Sequence, residues 1–428
     1  MLSRTNRRSF IKKSGAVAAG FWLGSAPQAK AVSANEKLNL AVIGLGGQGK
    51  ANLNGASKEN VLALCDVDDN RAGDAYQKHP KAKKFVDFRK MFDEMEKQID
   101  GVLVTTPDHT HYHIALWALQ RGKHLYQEKP LAHDVWEVRQ LTNLAREKKV
   151  ATQLGVQRHT LKPLREAVEI IRAGMIGNVK EVYAWMGGDR GMPSIPTEKP
   201  ENPAGLNYDL WLGPNEFYPY QPTICPYGWR FWWQFGTGET GNFGCHILDI
   251  PFWALDLRYP TKVEASGPAV HELTTPRSMQ TKFEFPKNDK HDAITLHWDH
   301  AKEGPKILAE HGLKAGNYNN LFIGSKGMLI CGFNGWKLLP DEKFKGVKVP
   351  KTFEDSPGFH KEWFDAIRGG KPATCHFDYS GPMTETVLLG NVAYRAGGFE
   401  WDSANLVCKG NSKAQNLIRR TYRKGWEV

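Results

Sequence analysis

Gly44, Gly46 and Gly49, in the stretch Gly44-Leu45-Gly46-Gly47-Gln48-Gly49, have the spacing that lets backbone N–H groups cradle a pyrophosphate. The first glycine allows a tight turn, the second lets the backbone approach the phosphates, and the third lets a following helix pack closely on the preceding strand. Asp66 stands 22 residues after Gly44. A carboxylate there meets the adenosine ribose hydroxyls and repels a 2′-phosphate, which favours NAD; Arg71 is able to accommodate that phosphate and keeps NADP open. Farther along, Thr106-Pro107-Asp108-His109-Thr110-His111 gathers polar groups in one loop, and Glu128-Lys129-Pro130 puts an amine at the end of an apolar run. The alternating His109, His111 and His113 invite a metal reading, but if Tyr112 and His113 open a helix the rings do not converge, and no metal is expected.

These residues need a scaffold that carries loops at strand ends. Leu40 to Ile43 reads as a first buried strand running into the glycine turn, and Val61 to Leu64 as a second ending at Cys65-Asp66, with a helix starting near Val67 to Arg71. Ile99 to Thr105 is a third strand, ending in the Thr106-Pro107 loop at the carboxyl edge, where open α/β sheets bind ligands. Gly122 to Tyr126 is a fourth. Pro130 removes a ladder donor and holds Lys129 extended, so the amine sits at the strand's rim; by spacing alone such a lysine is a solvated charge. Asp134 and Glu137 form a capping box for a helix reaching Lys149, and a strand from Ala151 to Val156 leads into Gln157-Arg158-His159.

The second half has a different pattern. Pro163 to Ala173 is helical in periodicity through Leu164, Ala167, Ile170 and Ile171, and stops at Gly174. From Val179 extended runs follow: Val182 to Trp185, Val263 to Val270, Met279 to Phe285, Ala293 to Trp298 and Leu321 to Gly324. Alternation at Phe283/Phe285 and Ile294/Leu296/Trp298 predicts an antiparallel sheet with one buried face. Between these strands lies Cys225-Pro226-Tyr227-Gly228-Trp229-Arg230-Phe231-Trp232-Trp233, whose aromatic faces suit the C–H side of a sugar ring. Arg230 can fork hydrogen bonds to hydroxyls or a carboxylate. Trp232 or Trp233 is expected in the core, with Tyr227, Trp229 or Arg230 facing a cleft. Helices from Phe359 to Gly369 and from Pro382 to Arg395 read as structural supports.

The glycine loop, the Thr106-Pro107 loop with His111, and above all Glu128-Lys129-Pro130 together resemble the Gfo/Idh/MocA oxidoreductase family. The resemblance implies an α/β fold: an N-terminal Rossmann dinucleotide-binding domain over residues 35–160, then a C-terminal α/β domain over 161–428 with a large, mainly antiparallel open sheet that serves as an oligomer interface. It implies that Lys129 touches both the nicotinamide ribose and the substrate hydroxyl. Asn242-Phe243-Gly244-Cys245-His246-Ile247-Leu248-Asp249 is similar to the family's D-x-x-x-H-x-x-D motif, and on a helix Asn242, His246 and Asp249 share a face. His246 maps onto the histidine that exchanges the substrate proton. Asn242 departs from the usual Asp: an amide orients a hydroxyl but takes no proton, which shifts proton handling to His246 and Lys129.

On this pattern Lys129, His246 and Asn242 are the catalytic set. The cofactor is expected to meet Gly44, Gly46, Gly47, Gln48, Gly49, Asp66 and Arg71, and then Thr106, Pro107, His111, Glu128, Lys129 and Gln157. The substrate is expected to meet Arg158, Tyr227, Trp229, Arg230, His246 and Asp249.

Charge and composition bound the remaining readings. The formal net charge of +11 falls to +5 once Arg4, Arg7, Arg8, Lys12, Lys13 and Lys30 are set aside, so no nucleic-acid partner is implied. Those six lie in a leader, residues 1–34, in which Asn6-Arg7-Arg8-Ser9-Phe10-Ile11-Lys12 resembles a twin-arginine export signal before a short apolar region. A periplasmic or secreted location follows, with no membrane contact beyond the signal. The six cysteines are widely spaced without a C-x-x-C pair; Cys65 reads as a free core thiol, and disulfide connectivity is left open.

The expected activity is NAD(P)-dependent oxidation of a hydroxyl on a sugar, polyol or sugar derivative, by coupled proton and hydride transfer in a homo-oligomer. Because free NAD is scarce outside the cytoplasm, a tightly bound cofactor is expected. A redox-neutral, NAD-dependent glycoside hydrolase is the alternative, and a noncatalytic sugar-binding protein a third.

Overall fold

The computed structural model describes residues 36–301 and 304–428; the leader with its twin-arginine pattern lies outside them. The first strand, β1 (Asn39–Ile43), is apolar at successive positions and buried through Leu40, Ala41, Val42 and Ile43, as a strand with helices on both faces requires. It is the centre of a six-stranded sheet with β2 (Asn60–Cys65), β3 (Lys83–Phe85), β4 (Gly101–Val104), β5 (His124–Glu128) and β6 (Thr152–Gly155). All of its pairs are parallel, in the order β3-β2-β1-β4-β5-β6. That is the doubly wound Rossmann order, and its switch point lies between β1 and β4. The glycine turn after β1 and the Thr106-Pro107 loop after β4 therefore open beside each other.

Helices start where the sequence supplies caps. Asp68 accepts from the Asn70 N–H at the head of α1 (Asp69–Lys78), and Asp134 and Glu137 complete the capping box of α2 (Val135–Lys148). Strand β5 runs on through Glu128, two residues beyond the expected end, because Pro130 removes a donor only at its own position and Glu128 still pairs with Gly155.

The second domain is a nine-stranded sheet in which β7 (Val179–Met186) and β10 (Ile294–His300) are central. Their pair is parallel and the others are antiparallel. One face is apolar: Phe283, Phe285, Leu296 and Trp298 are buried there, and α4 (Phe377–Ala396) packs on that side against α3 (Cys245–Leu255). The opposite face carries Glu264, Lys282, Glu284 and His297, the alternation expected for an open sheet. Strand β8 (Lys262–Ser266) stops before the Gly267-Pro268 break instead of reaching Val270, since proline leaves no ladder donor. The Pro382 helix also begins earlier than its sequence suggests, at Phe377. Proline frees the carbonyl of Asp378, and Arg258 Nη1 donates to it at 2.6 Å, so the turn before the proline holds. Among the described residues no helix is long and apolar enough to cross a membrane, and the six cysteines are buried and free.

Candidate active site

The glycine loop is built so that no side chain fits in it. Gly44 has φ +83°, and a Cβ there would lie 2.4 Å from the Thr105 carbonyl oxygen; one on Gly49 would lie 2.1 Å from the Gly44 oxygen. At Gly46 a Cβ would meet the Arg71 guanidinium, 2.5 Å from Nε, so Arg71 lies across the loop. Asp66 Oδ2 accepts from the Leu45 N–H at 2.7 Å and Oδ1 from the Asp68 N–H at 3.0 Å, which fixes the carboxylate beside the turn. Burial raises its pKa, and those two N–H bonds oppose the rise. The result is a bare backbone cradle with a cation over it and a carboxylate next to it, which fits a dinucleotide's pyrophosphate and ribose.

A cavity of about 390 Å³ runs from this cradle into the second domain. Beside it, a segment of the second domain is tied to residues 67–70. Asp69 N–H donates to the Gly205 carbonyl at 3.0 Å, Asn207 N–H to Val67 at 2.8 Å, and Asn70 Nδ2 to Ala204 at 2.7 Å. Beyond that seam, Pro226, Tyr227, Trp229 and the C-terminal Trp426 line the wall opposite the glycines.

At the far end Lys129 Nζ donates to Asn242 Oδ1 at 2.6 Å, and Asn242 Nδ2 donates to Glu239 Oε2 at 3.1 Å. Arg190 Nη2 is 2.5 Å from Glu239 Oε1, and Arg190 Nη1 donates to the Tyr227 hydroxyl at 3.2 Å. An ionised Glu239 can only accept, so it sets the amide with its oxygen toward Lys129. Burial, followed by the Arg230 charge, lowers the Lys129 pKa to about 8, with Glu128 opposing. His246 lines the same end, and burial, helped by Lys129 and Arg158, holds its pKa well below the usual value, so the ring is neutral near pH 7. A neutral imidazole and an amine poised near 8 can together receive or return a proton.

Two family models match this chain: "Oxidoreductase family, NAD-binding Rossmann fold" over residues 38–156, and "Oxidoreductase family, C-terminal alpha/beta domain" over 173–428. The chain belongs to the Gfo/Idh/MocA oxidoreductase family. It is similar to the rhizopine catabolism protein MocA of Rhizobium meliloti, 26% identical over 150 residues that cover 33% of this chain and 45% of that one. It is also similar to inositol 2-dehydrogenase of Salmonella typhimurium, 28% identical over 152 residues covering 34% and 45%. The chain thus spans just under half the length of these curated relatives. Its fold is that of the WlbA dehydrogenase of Bordetella pertussis, solved in complex with NADH and UDP-GlcNAcA: TM-score 0.62 at 15% identity, covering 87% of this chain and 99% of that chain.

Against the Gfo/Idh/MocA pattern, the cavity brings together Gly44, Gly46, Gly47, Gln48, Asp66, Arg71, Thr106, Pro107, Glu128, Lys129 and Gln157 with Tyr227, Trp229, Arg230, Asn242 and His246. Four expected residues do not line it. Gly49 packs against the turn, for the close approach given above. His111 is clamped between the Pro130 and Thr106 carbonyls, at 2.8 Å from each, and so ties the two loops together. Arg158 stacks on Phe333, 3.9 Å from the ring centre. Asp249 turns away from the cavity to His159 Nδ1 at 2.8 Å and the Tyr379 hydroxyl at 2.6 Å, two donors that claim its carboxylate. Asn242 and His246 both reach the cavity across the π-turn at Thr240–Gly244, whereas Asp249, three residues beyond His246 on α3, is held outside it by those two donors. The three loop histidines bond to separate carbonyls: His109 to Trp211 and Phe235, His111 as above, and His113 to Trp426.

Sequence reasoning missed Glu239, Arg190 and Asn52. Asn52 donates to Glu128 Oε1 and Thr105 Oγ1, both at 2.9 Å, which holds the Glu128 carboxylate beside the rim of β5. The signal for Glu239 was a single carboxylate within Gly236-Thr237-Gly238-Glu239-Thr240-Gly241, a run otherwise without charge.

Proposed function

We propose that this chain is an NAD-dependent dehydrogenase that oxidises one hydroxyl of a sugar, polyol or sugar derivative, with Lys129 and His246 handling the proton. One observation carries the reading: an amine tuned to about 8 and a neutral imidazole stand at one end of a cavity whose other end is a side-chain-free glycine cradle. Gly44, Gly46, Gly47, Asp66 and Arg71 would hold the dinucleotide, whose nicotinamide supplies the hydride acceptor when bound.

Lys129 presents one N–H to Asn242 Oδ1, and in its neutral form this leaves the nitrogen lone pair free for the substrate hydroxyl. The alcohol carbon gives up a hydride, the hydroxyl gives its proton to the amine, and a carbonyl results, so both hydrogens and the two electrons are accounted for. His246 shares the hydroxyl and relays the proton onward. Asn242 orients the amine without titrating, and Glu239 keeps the amide from flipping.

The wall that Trp211, Pro226, Tyr227 and Trp229 build along the cavity from the second domain supports a cofactor that leaves slowly, which suits the export suggested by the Arg7-Arg8 leader. We propose the periplasm or exterior as the site of action, and self-association through the open sheet. The test is to purify the mature protein, identify the nucleotide that accompanies it, and follow absorbance at the reduced nicotinamide band with a sugar and polyol panel. Lys129→Met abolishes that signal and spares nucleotide retention. A Lys129→Met protein that turns over normally overturns the assignment.

A further inference from the structure

The Arg230 side chain borders the cavity. It stacks on Trp229, 4.4 Å from the ring centre, and lies 5.8 Å from the centre of the Tyr227 ring. Among the described residues no carboxylate pairs with it, and its Nε is buried without an acceptor. Arg190, Arg139, Arg368 and Arg420 are matched by Glu239, Glu385, Glu59 and Glu137, whereas Arg158 and Arg395, like Arg230, meet aromatic rings instead. Of those three, Arg230 alone lines the cavity, where a guanidinium without a carboxylate of its own can serve a ligand.

Its position assigns it to the substrate. Arg230 lines the cavity with Lys129, Asn242 and His246, and its charge helps to lower the Lys129 pKa while opposing the burial that raises that of Glu239. The cofactor's phosphates have their own cation in Arg71, across the glycine cradle. At the reacting end Lys129 has Glu128 and Asp108 as counter-charges and Glu239 is matched by Arg190, which leaves Arg230, among the described residues, without a carboxylate of its own. A planar fork suits a carboxylate held in two places, and the Trp229 and Tyr227 rings offer apolar faces to a sugar ring. A dianionic phosphate would call for more donors than this one fork.

We propose that the substrate carries a carboxylate, as a uronate or aldonate does, and that Arg230 binds that carboxylate while the hydroxyl to be oxidised lies at Lys129. The proposal rests on the dehydrogenase reading above. The test compares kcat/KM of the NAD-loaded protein for D-glucuronate, D-galacturonate and D-gluconate with D-glucose, D-galactose and D-glucose 6-phosphate. We expect at least one acid to exceed its neutral counterpart, and Arg230→Gln to lower that acid-to-neutral ratio by about 30- to 100-fold, the worth of a charge-assisted pair. Arg230→Lys, which keeps the charge and the contact with Trp229 but loses the fork, recovers only part. Preference for neutral sugars or for the phosphate, or a ratio that Arg230→Gln leaves alone, overturns the proposal. If no sugar is oxidised, the dehydrogenase reading fails, and calorimetric titration of the same acids and neutral sugars into NAD-loaded protein decides the anion site separately. Acids binding more tightly, with the advantage lost in Arg230→Gln, uphold it; equal binding sinks it.

Discussion

Replacing Asn242 by Asp puts a carboxylate where an amide oxygen now sits 2.6 Å from Lys129 Nζ. At an effective dielectric of about 20, two unit charges at about 4 Å attract by about 4 kcal/mol, or about three pKa units at about 1.4 kcal/mol each. Two effects reduce this. Glu239 Oε2 lies 3.1 Å from Asn242 Nδ2, so the new carboxylate meets a like charge where an N–H donor had been, and a further ion is taken out of water. The net rise in the Lys129 pKa is therefore expected at roughly one to two units from its value of about 8. Oxidation needs the amine unprotonated, so kcat/KM at pH 7 should fall roughly 10- to 100-fold, and its pH profile should climb to a plateau at a higher midpoint. The assay is NADH formation at saturating NAD between pH 6 and 11. If Asn242→Asp rises and levels off at the wild-type midpoint, the group being titrated is not the lysine beside residue 242, and the proton assignment falls with it.

Two further predictions concern binding and stability. Gly44→Ala forces a methyl into the Thr105 carbonyl at a φ of +83°, so nucleotide retention after gel filtration should be lost; a variant that still co-purifies with its nucleotide contradicts the cradle. Burial holds His109 at about 3, well under the value of about 6.5 it has when unfolded. The unfolded chain then binds a proton that the folded chain refuses, so this residue's contribution to stability is intact above about pH 6.5 and falls by about 1.4 kcal/mol per unit below it. The stability difference between wild type and His109→Gln, measured by urea unfolding, should shift by about 2 kcal/mol toward the variant between pH 7 and pH 5. A difference that stays constant over that range means His109 is not held neutral.

The parts of this molecule that could be read from its sequence are those where cause and effect lie within a few residues. Gly49 is needed because a Cβ there strikes the Gly44 carbonyl in its own turn, and Asp134 with Glu137 caps the helix that they begin. The α/β fold with its parallel Rossmann sheet and mainly antiparallel second sheet follows from such local patterns repeated along the chain. The site is different, because it is assembled by residues with no local reason to be there. Arg190 comes from the Gly187–Pro200 region, where no periodicity predicts a position, and its role is visible only once Glu239 and Tyr227 are beside it. Asp249 shows the opposite failure. Its spacing from Asn242 and His246 promised a shared face, but the two donors on His159 and Tyr379 hold it outside the cavity. Nor is the carboxylate nearest to Lys129 through Asn242 in that motif at all: it is Glu239, three residues before the asparagine, with its side chain fully buried and its charge met by Arg190. An asparagine in place of an aspartate therefore does not leave the site without an acid; it moves the acid one hydrogen bond farther from the amine. At that distance the carboxylate can orient the amide, but the amide does not pass it a proton, and Lys129 keeps a pKa low enough to act as a base.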